Sequence, residues 1–266
     1  MAGIDIVRAD DAEVFDHHPI DGHRFAGAPG APGAPDGIEA RVVSPAGYSL
    51  WLVAAALADR TSIELPPVHG DEVVAVLEGE LDADGRICPA GGAVVIESGA
   101  SPTITARGRT RIVHMGPADP AVPQDGLNGP CTPGDAVHVV GPGGTFAAVD
   151  AHRDTHYFAD STCPTCRLTL LYTSRSVEYI SAAHSHSQAE LIHLLHGELR
   201  LGAHTLRPGD TLAVDADRRY GFRSGPDGFA FINYRRDASQ QTVERGAPPL
   251  MEGGAVNGLV AVMDLR

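Results

Sequence analysis

The stretch His184-Ser185-His186-Ser187-Gln188-Ala189-Glu190, followed after six intervening residues by Gly197, places two imidazoles and one carboxylate close together. The flanking residues predict strands at 176–180 and 191–195. Residues i and i+2 of a strand face the same side, so His184 and His186 share a face, to which Glu190 returns after a short turn. Such a set leaves open positions on a metal and suits a divalent transition metal, notably Fe(II) in oxygenases. The alternative interpretation is a polar turn that happens to be rich in histidine.

The composition is that of a globular protein with a hydrophobic core, since 43% of the 266 residues are hydrophobic. This length suffices for one large domain or two of ordinary size. The 31 glycines and 20 prolines favour many turns and few long helices. A net charge of −14 argues against nucleic acid and against an anionic membrane as partners.

The chain contains no lysine, which excludes a lysine Schiff base and a phosphate-binding lysine loop. Its apolar runs fall short of the roughly 18 residues of a membrane span, and the run at 50–58 is better interpreted as a core strand. The acidic N-terminus lacks the basic and apolar features of a leader. We therefore expect a cytoplasmic protein whose four cysteines are thiols.

Two stretches of the sequence match at a shift of 118 residues, namely 48–79 and 166–197. In the first, Glu72 begins Glu-Val-Val-Ala-Val-Leu-Glu-Gly, and in the second, Glu190 begins Glu-Leu-Ile-His-Leu-Leu-His-Gly. Each stretch then reaches a proline–glycine turn and a short apolar run. Repetition on this scale indicates two copies of one domain.

Residues 116–135 lie between the two copies and contain five prolines and four glycines, which is typical of a linker. We expect domains at 1–117 and 118–266, with a mobile Gly/Ala/Pro segment at 26–35. Short runs between turns predict strands at 49–53, 73–77, 93–96, 110–114, 168–173, 191–195 and 229–234. This spacing predicts an all-β protein, an antiparallel sandwich or barrel with few short helices.

The pattern His184-x-His186-x3-Glu190-x6-Gly197 resembles the first sequence motif of the cupins, and Gly202-x5-Pro208-Gly209-Asp210 resembles the start of their second motif. With two copies, the chain resembles a bicupin over about 45–115 and 165–235. The resemblance implies two tandem jelly-roll β-barrels. It also implies one divalent transition metal inside the C-terminal barrel, held by the two histidines and Glu190. Fe(II) is favoured, and Ni, Mn, Co or Zn is compatible with the same ligands.

The second copy departs from the cupin pattern at Tyr220. A typical cupin has a fourth ligand there, a histidine about twelve residues after the proline of the second motif. Tyr220 either binds the metal through its phenol oxygen, acts beside the metal as a catalytic acid or base, or packs as a core aromatic. A neutral phenol is a poor ligand, because its reference pKa is about 10.

The first copy departs further. Pro66 and Val68 stand where the two histidines stand in the second copy, and Ser101 stands where Tyr220 stands. Only Glu72 is kept, and one carboxylate cannot hold a metal alone. We therefore expect the N-terminal barrel to be metal-free and to serve packing.

Four residues of the second copy are candidates for contacting a substrate: Arg175, Phe222, Phe231 and Asn233. Arginine binds carboxylates through two parallel hydrogen bonds. The resemblance implies a dioxygenase that acts on a small phenolic or acidic molecule. A non-oxidative isomerase, lyase or cyclase, or a bicupin that binds a small molecule without turnover, are the alternatives. Similar proteins commonly dimerise, so a homodimer is also expected.

The pair Cys163-Pro164-Thr165-Cys166 is a CxxC. With His152 and His156 upstream, it is compatible with a structural zinc site. A redox pair and two plain thiols are the other interpretations, and a redox CxxC usually opens a helix in a βαβ setting.

Overall fold

The computed structural model describes residues 3–27, 37–121, 132–150, 153–243 and 250–252. Cys131, His152 and residues 28–35 of the segment predicted to be mobile lie outside these ranges. In chain order the strands are β1 (Ile4–Val7), β2 (Val14–Phe15), β3 (Arg24–Ala26), β4 (Glu39–Val42), β5 (Leu50–Leu57), β6 (Ser62–Glu64), β7 (Glu72–Ala83), β8 (Arg86–Pro89), β9 (Ala93–Ile96), β10 (Ile104–Pro117), β11 (Val137–Val140), β12 (Phe146–Asp150), β13 (Arg153–Asp160), β14 (Thr169–Arg175), β15 (Ser185–His186), β16 (Glu190–Leu201), β17 (His204–Leu206), β18 (Thr211–Val214), β19 (Arg223–Arg235), β20 (Ser239–Thr242) and β21 (Leu250–Glu252).

The helices of the described residues are two short 3₁₀ turns, Ala9–Asp11 and Pro142–Gly144. None of the helices in that part of the chain is long and apolar enough to cross a membrane. The expectation of an all-β protein with few short helices is confirmed.

The strands form two large antiparallel sheets. The N-terminal sheet has ten strands in the order β11-β9-β7-β10-β5-β4-β2, with β3, β6 and β8 attached at its sides. The C-terminal sheet has eight strands in the order β1-β18-β16-β19-β14-β13-β12, with β17 attached to β16. A third, small sheet contains β15, β20 and β21. Strand pairing among the described residues closes neither large sheet into a barrel.

The 118-residue repeat of the sequence reappears in the sheets. Strand β16 begins 118 residues after β7, and β18 begins 118 residues after β9. The central order β9-β7-β10-β5-β4 of one sheet matches β18-β16-β19-β14-β13 of the other. Apolar, β-branched runs fit these positions because both faces of the central strands are covered.

Each sheet takes one strand from the other half of the chain. Strand β1 pairs antiparallel with β18, with Ile4 opposite Val214. Strand β11 pairs with β9 in the same way, with Val137 opposite Ile96. Each exchanged strand comes from one side of the boundary expected at 117/118 and joins the sheet formed by the other side. The two sheets therefore do not coincide with the segments 1–117 and 118–266. Sequence periodicity finds strands but not their partners, which is why this exchange was not predicted.

The predicted strands are present, but several are longer than predicted. Strands β7 and β16 continue through Gly79 and Gly197, whose φ angles of +78° and +68° bend the chain at the predicted turn. A strand at 176–180 was predicted wrongly: Ile180 makes only an isolated bridge to Arg223. Turn residues and a positive φ at Glu178 occupy that segment instead.

Three buried apolar clusters hold the fold together. One consists of side chains of the N-terminal sheet and includes Trp51. Another consists of side chains of the C-terminal sheet and includes Phe229 and Phe231. The third joins the two sheets, since Leu52 and Met115 of one pack with Leu170 and Tyr234 of the other. The Tyr234 hydroxyl also donates to the Asp71 carbonyl at 3.0 Å across this junction.

Candidate metal centres

Glu190, the first residue of β16, is the centre of a buried polar cluster in the C-terminal sheet. Its Oε1 accepts a hydrogen bond of 2.5 Å from the Tyr220 hydroxyl. Its Oε2 accepts from Asn233 Nδ2 at 2.9 Å and from Arg235 Nε at 3.0 Å. Asn233 and Arg235 reach the same carboxylate because alternate residues of β19 face one side of the sheet. We call these residues, with His184 and His186, the C-terminal cluster.

His186 lies beside Glu190, and His184 lies beside His186. His184 bridges Tyr220, and β15 places His186 beside β20. Their ring centroids lie 5.0 Å apart, and His186 Nε2 lies 3.8 Å from Glu190 Oε1. His184 Nδ1 lies 2.8 Å from the Ala182 carbonyl, which accepts its proton and leaves the neutral ring with a lone pair on Nε2. This is the common arrangement of a metal-binding histidine.

Arg235 is a member of the cluster that sequence reasoning missed. Its Nη2 lies 3.0 Å from Glu190 Oε2 and 3.4 Å from His186 Nε2. Burial alone raises the pKa of Glu190, but the charges of His186 and Arg235 outweigh it, and the pKa falls to about 2. The guanidinium therefore already offsets the charge of the carboxylate at Oε2, and it also lies close to His186 Nε2. Strand alternation from Asn233 was the signal that would have found Arg235.

The other predicted residues of this sheet separate into two groups. Tyr220 donates to Glu190, which puts its hydroxyl beside a predicted ligand, and its ring packs 4.6 Å from the His184 ring. Phe222 and Phe231 are buried with their centroids 6.1 Å apart, and Phe222 lies 6.0 Å from Tyr220. Arg175 instead donates to the Thr155 and Thr173 hydroxyls. It is not among the residues bonded to Glu190.

A second histidine–carboxylate cluster lies in the N-terminal sheet, around Glu72 at the start of β7. His114 Nε2 lies 2.9 Å from Glu72 Oε2. His23 Nε2 lies 3.1 Å from both carboxylate oxygens. All three side chains are buried. Burial raises the pKa of Glu72, but the hydrogen bonds from His114 and His23 outweigh it and bring the pKa to about 2.

His18 completes this N-terminal cluster behind His114. Its Nδ1 accepts from the Ile20 backbone N–H at 3.2 Å, so its Nε2 carries the proton and donates to His114 Nδ1 at 3.0 Å. Burial lowers the pKa of His18, and the neighbouring histidines lower it further. Trp51 packs edge-on against His114 at 4.8 Å, and Phe25 lies 4.7 Å from His18. Apolar walls therefore strengthen the electrostatic interactions inside the cluster.

The reason given for a metal-free N-terminal barrel was wrong, because Glu72 is not alone. His114 comes from β10, and His23 comes from the segment between β2 and β3. The motif comparison looked for histidines only at Pro66 and Val68, where the second copy has them. The signal that could have found the cluster is the unusual density of histidine in His17-His18-Pro19-Ile20-Asp21-Gly22-His23.

Two groups of potential ligands in the described ranges have donor atoms that all lie within 4.8 Å of one another. One is His23, Glu72 and His114. The other is Glu97, His138, Cys163 and Cys166. The C-terminal triad is not among these groups, although it is predicted by the sequence. The N-terminal cluster therefore fits a divalent cation: it offers two imidazoles and an ionised carboxylate, and the Asp21 carbonyl lies 3.3 Å from His23 Nδ1.

His156, which the sequence suggested as a partner of the CxxC, is not in the group of ligands that contains Cys163 and Cys166. His156 Nε2 lies 2.8 Å from Asp154 Oδ1, and its Nδ1 lies 2.8 Å from the Thr145 hydroxyl. Strand β13 pairs with β12 from Arg153 to Tyr157, which places His156 opposite Ala147 and within reach of Thr145. His152 lies outside the described residues.

No family model matches the chain, and no curated protein gives a significant match. Solved structures do match. A protein of Pseudomonas aeruginosa described as glyoxylate-induced has a TM-score of 0.64 at 16% identity, over 88% of this chain and 89% of that one. The protein Ylba of E. coli has a TM-score of 0.61 at 15% identity, over 88% and 90%.

An oxalate decarboxylase of Bacillus subtilis has a TM-score of 0.64 at 13% identity, over 99% of this chain and 84% of that one. These neighbours are cupin-fold proteins. They support the cupin part of the resemblance and carry no support for the more specific expectation of a dioxygenase. At 13 to 16% identity the likeness concerns the fold, and the chain has the cupin fold.

Proposed function

We propose that this protein is a divalent-metal-dependent enzyme that acts on a small acidic molecule and holds its metal at His23, Glu72 and His114. The observation that supports this is the convergence of two imidazole nitrogens on one buried carboxylate, at 2.9 to 3.1 Å. Two histidines and one carboxylate leave coordination positions for a substrate. The Mn(II) centres named for a B. subtilis oxalate decarboxylase of the same fold agree with a divalent metal and an acidic substrate.

The residues around the proposed metal have distinct tasks. With a metal bound at His23 Nε2, the Asp21 carbonyl would accept the proton of His23 Nδ1 and so leave the Nε2 lone pair to the ion. Glu72 brings a negative charge, because its pKa is about 2. Trp51 and Phe25 exclude water from the ring faces. A divalent ion bound here would supply Lewis acidity toward a carboxylate or carbonyl oxygen of the substrate.

The C-terminal cluster is a second candidate location, because the hydrogen bond from His184 Nδ1 to Ala182 presents the Nε2 lone pair expected of a ligand. In that case His184, His186 and Glu190 hold the metal, and Tyr220 is the acid or base beside it. The proximity of Arg235 to Glu190 and His186 opposes a second cation there, so we place the metal in the N-terminal cluster first. The matching strand orders support treating the two sheets as the two cupin units of a bicupin.

Metal analysis of matched variants tests the location. We compare the wild type with His114→Gln and His186→Gln, each of which removes one imidazole from one cluster. After loading with Mn(II) or Fe(II) and desalting, the wild type should retain the ion, His114→Gln should lose it, and His186→Gln should keep it. Retention by His114→Gln together with loss from His186→Gln would move the site to the C-terminal cluster. An ion content equal to that of the wild type in both variants would refute both locations.

The reaction type is tested separately. Turnover of small carboxylic acids without oxygen by the Mn(II), Co(II), Ni(II) or Zn(II) form would favour a lyase, isomerase or decarboxylase. Oxygen uptake by the Fe(II) form with small acids or phenols would favour a dioxygenase. Tight binding without turnover in every metal form would instead indicate a non-catalytic binding protein. Sedimentation equilibrium on the same samples tests the predicted homodimer.

A further inference from the structure

A third polar cluster lies between the two sheets, outside both candidate centres. Glu97 follows β9 and is buried, and His138 lies on β11. Cys163 and Cys166 lie in the loop between β13 and β14. His138 Nε2 is 3.0 Å from Glu97 Oε1, and Cys163 Sγ is 3.7 Å from the same oxygen. All four donor atoms lie within 4.8 Å of one another.

These distances and residue types suit zinc. Zinc binds cysteine sulfur at about 2.3 Å, and histidine nitrogen or carboxylate oxygen at about 2.0–2.2 Å, in tetrahedral geometry. Ligand atoms around such an ion are then about 3.3–3.8 Å apart, as follows from those bond lengths and the tetrahedral angle. The two spacings of 3.0 and 3.7 Å are close to this range, and the other pairs of donor atoms lie within 4.8 Å of each other. Thiolate ligands favour zinc over magnesium or calcium.

The surroundings hold the ligands in place. Glu97 Oε2 accepts from the Ala136 backbone N–H at 2.9 Å, and Oε1 accepts from the Thr165 hydroxyl at 2.6 Å. The Cys166 backbone N–H donates to Cys163 Sγ at 3.4 Å. Gly134 lies so close that a Cβ there would collide with the Glu97 carboxylate. A cavity of about 260 Å³ borders His138, Cys163 and Cys166 and offers an entry path.

We propose that Glu97, His138, Cys163 and Cys166 bind one structural zinc ion that fastens the two sheets together. Glu97 and His138 belong to the N-terminal sheet and its exchanged strand, and the two cysteines lead into β14 of the C-terminal sheet. The ion crosslinks segments far apart in the chain, and its binding free energy adds to the stability of the junction. Both thiols give up their protons when they bind. The site is independent of the proposed catalytic function.

Zinc content of the full chain tests the proposal. Protein purified with zinc present should retain zinc at this site after desalting, so the wild type should hold one zinc per chain more than a variant that lacks the site. Cys163→Ser and Cys166→Ser should lose this zinc, and His138→Gln should bind it at least ten-fold more weakly. His156→Gln is the matched histidine control and should behave as the wild type. A zinc content equal to that of the wild type in both cysteine variants would overturn the proposal.

Cobalt substitution separates this site from the N-terminal cluster, which contains no thiol. Co(II) bound at Cys163 and Cys166 should give a thiolate charge-transfer absorption in the near ultraviolet. His114→Gln should keep that band, and Cys163→Ser should abolish it. Absence of the band in cobalt-loaded wild type would overturn the zinc site and leave the function proposed for His23, Glu72 and His114 untouched.

A further measurement covers the case in which the cysteine variants fail to fold. In native wild type, a chelator should expose two further thiols to a thiol reagent and lower the melting temperature, and added zinc should reverse both changes where magnesium does not. An intact mass two hydrogens lower, with both cysteines in a disulfide, would refute zinc binding.

Discussion

His114 and Asn233 occupy the same register position in the two sheets. His114 pairs with Val74, and Asn233 pairs with Ile192, which is Val74 plus 118 residues. Each side chain lies 2.9 Å from the carboxylate at the start of the neighbouring strand, His114 from Glu72 and Asn233 from Glu190. One position thus carries an imidazole in one sheet and a carboxamide in the other. The amide donates to its carboxylate, whereas the imidazole can also bind a metal.

The hydroxyl of Tyr220 is expected to stabilise the charged form of Glu190. Tyr220→Phe removes the 2.5 Å hydrogen bond and should lower the free energy of unfolding by about 1.5–3 kcal/mol, the usual range for a bond to a charged group. Urea denaturation measures this loss. Tyr172→Phe on β14 is the control and should change stability by less than about 1 kcal/mol. Equal losses in the two variants would contradict the assigned role.

The contributions of Arg235 and Glu190 to the free energy of unfolding should be coupled. Arg235→Met leaves a buried charge without its partner and should cost about 3–5 kcal/mol. The double variant Arg235→Met with Glu190→Gln should lose less than the sum of the single losses, because no lone charge stays buried. The exposed pair of Arg111 and Glu78 is the control, where Arg111→Met should cost under about 1 kcal/mol. Additive losses at the buried pair would refute the coupling.

If the N-terminal cluster binds the metal through His114 Nε2, that nitrogen must give up the proton that it carries while Nδ1 accepts from His18. His18→Phe keeps an aromatic ring against Phe25 but removes the 3.0 Å contact with His114 Nδ1. Metal affinity should rise about 2- to 10-fold, the worth of one neutral hydrogen bond, because His114 Nδ1 can then carry the proton and leave Nε2 to the ion. Competition with a chelator of known affinity measures this change. His17→Phe is the control, since His17 is exposed. An unchanged or lower affinity in His18→Phe would show that the hydrogen bond from His18 does not hold the proton on His114 Nε2.

Acid should weaken the fold through His193, which is not a proposed ligand. Burial lowers its pKa to about 4; Asp210 opposes this shift and Arg111 adds to it. In the unfolded chain the pKa is about 6.5, so between these values the unfolded state binds more protons. The free energy of unfolding is therefore unaffected by His193 above about pH 6.5. It falls as the pH drops toward 4, by about 2–3 kcal/mol at pH 4.5. His193→Gln should reduce the stability difference between pH 7 and 4.5 by that amount in urea titrations, and an unchanged difference would contradict the assignment.

Gly197 should tolerate alanine much less than Gly202 does. Both have positive φ, +68° and +57°, which costs an L-residue about 1–2 kcal/mol. A Cβ at Gly197 would also collide with the Gly228 carbonyl. A Cβ at Gly202 would have none of the surrounding atoms within 4 Å, apart from those of its chain neighbours. Gly197→Ala should therefore lose about 1–3 kcal/mol more than Gly202→Ala in thermal unfolding. Equal losses would mean that the turn relaxes freely.

The sequence by itself determined the all-β class and the strands at the centre of each sheet. Val73–Leu77 and Leu191–Leu195 lie inside β7 and β16, because local alternation and turn glycines specify strands without reference to the rest of the chain. It also brought His184 close to His186 and His186 close to Glu190, because residues so near in sequence meet through local structure.

Only the tertiary structure decided which distant residues meet. His23, Glu72 and His114 converge from three separate segments, and Arg235 reaches Glu190 across 45 residues. Glu97 and His138 replace His156 beside the CxxC because β11 pairs with β9 in the other sheet. Long-range strand pairing sets these contacts, and a local pattern carries no information about the partner strand or its register.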